Sequence, residues 1–357
     1  MTLTLDLRDP FASEVETIWR TLEADARPSY FLTWGWIENW LACLPREHAP
    51  ELAVIRSGGL PIAACFLGKR RVLRHHVLPT RARFLNATGW PREDELCVEH
   101  NALLAAPSAH PRLADVIHLL PGDWDELVLP AIDLDAFLDL RAAAPTGFRV
   151  CVDRDVASPF VDLARVRAHG DYVSLLGRST RAQLRRARRA AGELQVELAR
   201  DEREAHAILD ELIWLHERYW RARGDGGAFA DPWILRFHRR LIARRFRRGE
   251  LELLRVRDRE GTLGCLYNLV ANGRVLFYQS GFAHRDDPHA KPGYVCHAAA
   301  IEHAAAVGRD VYDLLGGDAR YKRCLATDTT RLAWVRVHRS GLRLELEDEL
   351  RRWRGLA

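Results

Sequence analysis

The chain has 357 residues, enough for two domains of ordinary size with a core in each. Apolar residues make up 48% and charged residues 29%, which excludes a disordered chain. The formal net charge of +4 is small for this length, so an anionic ligand is permitted and a nucleic-acid partner is not demanded.

Met1 to Leu7 alternates like a strand and lacks the basic start and apolar core of a signal peptide. No apolar run approaches the length of a membrane span. The seven cysteines, Cys43, Cys65, Cys97, Cys151, Cys265, Cys296 and Cys324, form no C-x-x-C pair. Scattered and odd in number, they suggest reduced thiols, and a cytoplasmic location is expected. After the first strand, Val15, Ile18, Trp19 and Leu22 share one face of a helix, and a second helix buries Trp36, Ile37, Trp40, Leu41 and Leu44. Strands are expected at Leu52 to Arg56, Ile62 to Leu67 and Arg83 to Ala87. Helical segments follow around Leu103 and from Leu113 to Leu120. A strand at Leu127 to Leu129, a helix from Leu134 to Ala143 and a strand from Phe148 to Val152 complete the first half.

The second half repeats that order. A strand at Leu194 to Leu198 precedes helices at Ala205 to Trp220 and Trp233 to Arg247. Strands follow at Leu251 to Val256, Leu263 to Val270 and Val275 to Gly281, with turns at Glu260-Gly261 and Asn272-Gly273. Lys291-Pro292-Gly293 then opens an Ala-rich helix that Gly308 stops, a short strand follows from Asp310 to Leu315, and a hairpin from Leu332 to Val337 and Leu342 to Leu346 ends the chain. The halves share no evident identity, so the repeat is one of topology. The chain is expected to be α/β (of α+β type): tandem modules, each a mixed twisted sheet flanked by helices. The first spans residues 1–160 and the second residues 161–357, joined near Asp153 to Arg167.

Chemistry concentrates between Arg274 and Lys322. Proline suits a first helical turn, glycine lets a ligand approach the backbone, and free N–H groups at a helix start attract anions. Only three lysines occur, Lys69, Lys291 and Lys322, and two of them fall in this stretch. Neither G-x-G-x-x-G nor G-x-x-x-x-G-K-[ST] is present. The first half has Trp90-Pro91-Arg92-Glu93-Asp94-Glu95 at the matching place, where three carboxylates would repel a pyrophosphate.

The run Asp313-Leu-Leu-Gly-Gly-Asp-Ala-Arg-Tyr-Lys322, with Pro292-Gly293 upstream, resembles the GNAT acyltransferase superfamily. Within it the run is similar to the CelD/BioF2-like branch, a relative of the Fem-type aminoacyltransferases. The likeness extends loosely over residues 170 to 325. It implies an N-acyltransferase that moves an acyl group, acetyl by expectation, from acyl-CoA to an amine of a sugar, amino acid or other small metabolite. Polysaccharide biosynthesis is the setting that the branch suggests, with the first module on the acceptor side.

On that resemblance the donor pyrophosphate lies over Lys291, Pro292, Gly293, Tyr294 and Val295, and the pantetheine runs beside Phe277, Tyr278, Gln279 and Ser280. Lys322, Asp318 and Tyr321 stand near the thioester as candidate catalytic groups. An ammonium at Lys322 would stabilise an oxyanion. Asp318 would accept a proton if burial raised its pKa, or would orient Lys322. A plain turn, with Tyr321 packing and Lys322 exposed, is the simpler alternative. Trp220, Arg223 and Phe229, around Gly224-Asp225-Gly226-Gly227, are expected at the acceptor pocket, with Gly316, Gly317 and Asp313.

Arg181, Arg185 and Arg189 share one helical face, and Arg236, Arg240, Arg244 and Arg248 form a second basic stripe. They are either solvated faces or contacts to phosphates of a nucleotide-linked acceptor or of tRNA, so an aminoacyl-tRNA donor stays open. A non-catalytic binding protein of this fold is the third possibility. His284, His289, His297 and His303 lack ligand spacing, and no metal is expected.

Overall fold

A computed structural model describes residues 2–96, 98–106, 111–341, 345–347 and 349–350. Cys97 and residues 342–344, part of the expected last strand, lie outside the described residues; Glu345–Glu347 are helical. The chain divides into two compact units, Met1–Val156 with Arg331–Ala357, and Ala157–Thr330.

The first unit runs β1 (Leu3–Arg8), α1 (Val15–Ala26), α2 (Trp34–Cys43), β2 (Glu51–Ser57), β3 (Leu60–Arg74), β4 (Leu78–Leu85), α3 (Pro91–Asp94), β5 (Leu104–Ala105), α4 (Leu113–Leu119), β6 (Glu126–Asp133), α5 (Leu134–Ala143) and the start of β7 (Phe148–Asp162). The second runs α6 (Leu163–His169), α7 (Tyr172–Leu175), α8 (Arg178–Ala191), β8 (Gln195–Leu198), α9 (Glu202–Arg221), α10 (Pro232–Arg245), β9 (Leu251–Asp258), β10 (Gly261–Ala271), β11 (Arg274–Phe282), α11 (Pro292–Ala306), β12 (Val311–Asp313), α12 (Arg320–Leu325) and the start of β13 (Asp328–Arg339).

Within each unit the strands pair alike. In the first unit β1, β2, β3 and β4 pair antiparallel in order, β4 pairs parallel with β6, and β6 pairs antiparallel with β13. In the second, β8, β9, β10 and β11 pair antiparallel, β11 pairs parallel with β12, and β12 pairs antiparallel with β7. Each unit is thus a mixed sheet with the same order of strands and helices, the tandem arrangement that the sequence suggests. The sixth strand is the exception to a simple repeat: the first unit is completed by β13, which the chain supplies only after the second unit, whereas the second is completed by its own opening residues, the end of β7. Residues from Arg331 onward therefore belong to the first unit, not to a module ending at 357, because Ala333, Val335 and Val337 are buried in the first unit's core.

Local chemistry accounts for the elements. Asp201 caps α9 by accepting from the Glu204 amide at 2.8 Å, and Asp231 caps α10, which has Pro232 in its first turn, from the Trp233 amide at 2.7 Å. Asn272 and Gly273 both take positive φ, as a two-residue turn that matches strand twist requires. α11 is apolar almost all round, with Val295 to Ile301 buried, so it is a central helix. The strand expected at 62–67 continues to Arg74, and the region near Leu103, expected helical, pairs as β5 against β3. Register with β4 holds Lys69 to Arg74 extended although their side chains carry little apolar signal.

The first unit contains a buried ionic cluster. Glu126 on β6 is fully buried; a nitrogen of His338 and an oxygen of Glu347 lie within 4.8 Å of its carboxylate and of each other. Arg336 reaches Asp153 at 2.5 Å, Glu347 at 3.3 Å and Glu126 at 3.6 Å, and Arg74 also pairs with Glu126. Removing a partner strands a buried charge. Arg336→Ala is expected to cost about 3–5 kcal/mol, read as a lower urea midpoint at unchanged slope. A midpoint within error of wild type would show that the carboxylates are satisfied without it.

Candidate active site

The second unit has a cleft of about 1020 Å³. It exists because β11 and β12 pair over only three residues, Arg274–Leu276 with Val311–Asp313, and then separate. Leu314 turns to donate to Pro159 O at 3.0 Å, while β11 continues to Phe282 against β10 alone. Where strand pairing ends, side chains serve the backbone: Gln279 Oε1 accepts from Ser280 N at 3.0 Å, and His216 bonds Ser280 O at 3.0 Å. A bulge between Tyr267 and Asn268 leaves Tyr278 as the extra residue and turns its ring onto His238 at 4.9 Å.

Gln279 to Ala283 form one wall of the cleft, and Lys291, Pro292, Gly293 and Tyr294, at the start of α11, form another. Lys291 at the N-cap makes no side-chain capping bond. Helix geometry gives the first-turn amides of Gly293 and Tyr294 no intrahelical acceptor, so the cleft meets a positive helix end beside a lysine. A Cβ on Gly293 would stand 3.3 Å from the Phe282 ring, so glycine keeps this corner narrow.

The third wall is α9, which contributes Glu211, Trp214, His216, Tyr219 and Trp220. It can pack there because Gly281 has no side chain: a Cβ at that position would lie 2.3 Å from Leu212 O and 2.8 Å from Leu215 Cβ. His216 ties the helix to both neighbours. Its Nδ1 faces Ser280 O, and its Nε2 accepts from Ala228 N–H at 3.1 Å, which sets Nδ1 as the protonated nitrogen. Burial lowers its pKa, so it stays neutral at pH 7. Glu211 is drawn upward by burial, but bonds from Thr262 and Arg255 outweigh that and hold it ionised. Trp214 and Tyr219 are 55% and 50% exposed, an aromatic surface on the cleft wall.

Tyr321 closes the inner end. Its ring stacks on His297 at 5.5 Å and 22°, and burial pushes its pKa up to about 12. His297 is fully buried on α11 against Phe277 at 4.4 Å and Phe282 at 5.8 Å. Burial, helped by the charge of Lys322, holds its pKa down at about 3, so it is a neutral packing plate for Tyr321. Lys322 is bound into the turn behind, with Nζ donating to Gly316 O at 2.7 Å and Leu315 O at 3.2 Å.

The expected site residues fall into two groups. Gln279, Ser280, Lys291, Pro292, Gly293, Tyr294, Trp220 and Tyr321 all line the one cleft. Phe277 and Val295 are buried behind its walls, Phe229 packs between His216 and His238, and Arg223 lies over the Tyr219 ring. Asp318 is 81% exposed beside Arg323, not buried at the cleft. Asp313 is buried and inward-facing: it accepts from Arg274 at 2.6 Å and from the Leu315 amide at 2.8 Å, which secures the turn through Gly316 and Gly317. His216, His297, Glu211, Trp214 and Phe282 escaped the sequence reading. The i, i+3 spacing of Glu211 and Trp214, which puts both on one face of α9, is a signal that could have found that wall.

In sequence, residues 178–323 match the family described as "Acetyltransferase (GNAT) domain". Over those residues the chain is similar to a GNAT acetyltransferase domain. Every residue lining the cleft lies within that match. In fold, the chain is similar to FemX, with 10% identity over 98% of this chain and 99% of that one and a TM-score of 0.59. It is also similar to a conserved protein of unknown function from Bacteroides thetaiotaomicron (13% identity, 94% and 100% covered, TM-score 0.54). A third likeness is to a tandem GNAT protein from the clavulanic acid biosynthesis pathway (15% identity, 95% and 99% covered, TM-score 0.50). No curated protein matches the chain in sequence. Among the described residues no helix is long and apolar enough to cross a membrane. In the first unit, the turn matching the GNAT helix start is already served from within: Asp94 accepts from Thr88 N at 2.8 Å and Gly89 N at 2.7 Å.

Proposed function

We propose that the GNAT-like domain transfers an acyl group from acyl-CoA to an amine of a sugar, amino acid or other small metabolite, by direct attack. The observation that carries this is the uncapped start of α11 opening onto the same cleft as the free edge of β11 and Tyr321. An anionic pyrophosphate suits the helix end, and an extended pantetheine suits a strand edge that lacks a neighbour. The thioester then falls near Tyr321. The neutral amine attacks the carbonyl, the C–N bond forms and the C–S bond breaks. The departing sulfur takes a proton from the Tyr321 phenol, the amine nitrogen loses its own to water, and the phenolate recovers a proton from water, so the proton count closes. Burial pushes the phenol's pKa up to about 12, so the proton is in place at neutral pH. Lys322, engaged by the carbonyls of residues 315 and 316, acts on this reading by tying α12, which carries Tyr321, to that turn.

The acetyl group as cargo, the CelD/BioF2-like branch, a polysaccharide setting and a cytoplasmic site are parts of the same proposal. A second reading takes the acyl group from an aminoacyl-tRNA, favoured by Arg185, Arg186 and Arg189, which stand exposed on α8 of the same unit. Calorimetry separates the two. Micromolar binding of acetyl-CoA with no tRNA signal is expected; a tRNA affinity that falls steeply with salt, with no heat from acetyl-CoA, would replace the first reading by the second.

A further inference from the structure

The loop between α9 and α10 doubles back onto the end of α9, with Gly224 and Gly227 both at positive φ. A Cβ on Gly227 would stand 2.7 Å from the His216 ring and 2.9 Å from Trp220 Cδ1, so the loop backbone lies directly on two rings that line the main cleft. Most bonds of the loop amides are local: Asp225 N donates to Trp220 O at 3.1 Å, Gly227 N to Asp225 Oδ1 at 3.0 Å and Ala230 N to Gly227 O at 3.1 Å. The one that reaches back along the helix runs from Ala228 N–H to His216 Nε2 at 3.1 Å. Phe229, next in the chain, packs 5.8 Å from His216 and 5.7 Å from His238.

We propose that His216 is a proton-operated latch on this loop: the neutral ring accepts the Ala228 amide and holds residues 224–228 against the cleft wall, and the protonated ring lets them go. A neutral imidazole has one donor and one acceptor, and both are used here, Nδ1–H toward Ser280 O at 3.0 Å and Nε2 toward Ala228. When a proton from water adds at Nε2 the ring has two donors, and the Ala228 N–H then faces another N–H. Ser280 O keeps its donor, so α9 stays tied to β11 while the loop loses its acceptor. The charged groups acting on the ring are Glu217, its neighbour on α9, and Asp225 in the loop; both favour the proton, and burial outweighs them. β11 presents the Ser280 carbonyl, and on the α10 side His238 stands behind Phe229, kept neutral by burial at a pKa of about 3. A ring that is harder to protonate when latched than when released must be released more often as pH falls, so the latch is complete above about pH 6.5 and weakens below it. The inference is independent of which acyl donor the cleft takes.

The test is amide hydrogen exchange on the full chain at about pH 7.5 and about pH 5, each rate divided by the intrinsic rate at that pH, for wild type and His216→Gln. The Ala228 amide of wild type is expected to lose protection by about tenfold between the two. Leu235, whose amide donates to the Asp231 carbonyl at 3.1 Å, is expected to keep its own. A glutamine amide does not titrate in this range, so in His216→Gln the protection of Ala228 is expected to be the same at both pH values, whatever its level. Equal wild-type protection at both pH values, a fall that Leu235 shares, or the same fall in the glutamine variant would overturn the latch. So would nitrogen NMR that places the imidazole proton on Nε2 at about pH 7.5, since that tautomer cannot accept from Ala228.

Discussion

Tyr321→Phe is expected to lower kcat by about a hundredfold while leaving the Kd for CoA within about twofold. The substitution keeps the ring that stacks on His297 and removes only the hydroxyl, so packing at the inner end of the cleft survives. What goes is the proton for the departing thiolate. The effect should depend on the leaving group: with an activated thioester of low thiol pKa, which needs no acid, most of the lost rate should return. A uniform loss with all thioesters, or no loss at all, would remove Tyr321 from the chemistry. Because burial pushes its pKa to about 12, no alkaline loss of activity from this group is expected below about pH 11.

Gly281→Ala is expected to destabilise the second unit by about 1–3 kcal/mol, because the added methyl would meet a helix backbone carbonyl and not a movable side chain. To relieve the contact α9 must lift from β11, and with it the bond between His216 and Ser280 O. The acceptor wall therefore moves as a unit. Urea unfolding should show a lower midpoint, and KM for the acceptor should rise more than KM for the donor, whose helix start on α11 is untouched. A variant with wild-type midpoint and wild-type acceptor KM would mean that α9 is not seated as described.

How much of this was legible beforehand depends on how local each signal is. The α11 start could be read because proline, glycine and the alanine run act on their own few residues. The alternation of β9, β10 and β11, with turns at Gly261 and Asn272-Gly273, was similarly local. Lys322 and Asp318 illustrate the opposite case. Their chemistry is plain in sequence, but one is spent on carbonyls of its own turn and the other faces solvent. His216 could not be found from spacing, since its two partners come from positions 228 and 280. The extension of β3 to Arg74 was hidden because its register with β4, not apolar content, makes it a strand.

The sixth strand of each sheet has a consequence for how the protein is made. Val335 and its neighbours, which finish the first unit, are synthesised only after residues 157–330, so that unit waits for the whole of the second to be made before its β6 edge is covered. Residues 157–330, by contrast, have every strand they require once Asp313 has emerged. Order of maturation should thus run against order of translation, with the later half reaching protease resistance first. For the same reason, a truncation at residue 330 should leave the earlier half, and not the one that was cut, open to digestion.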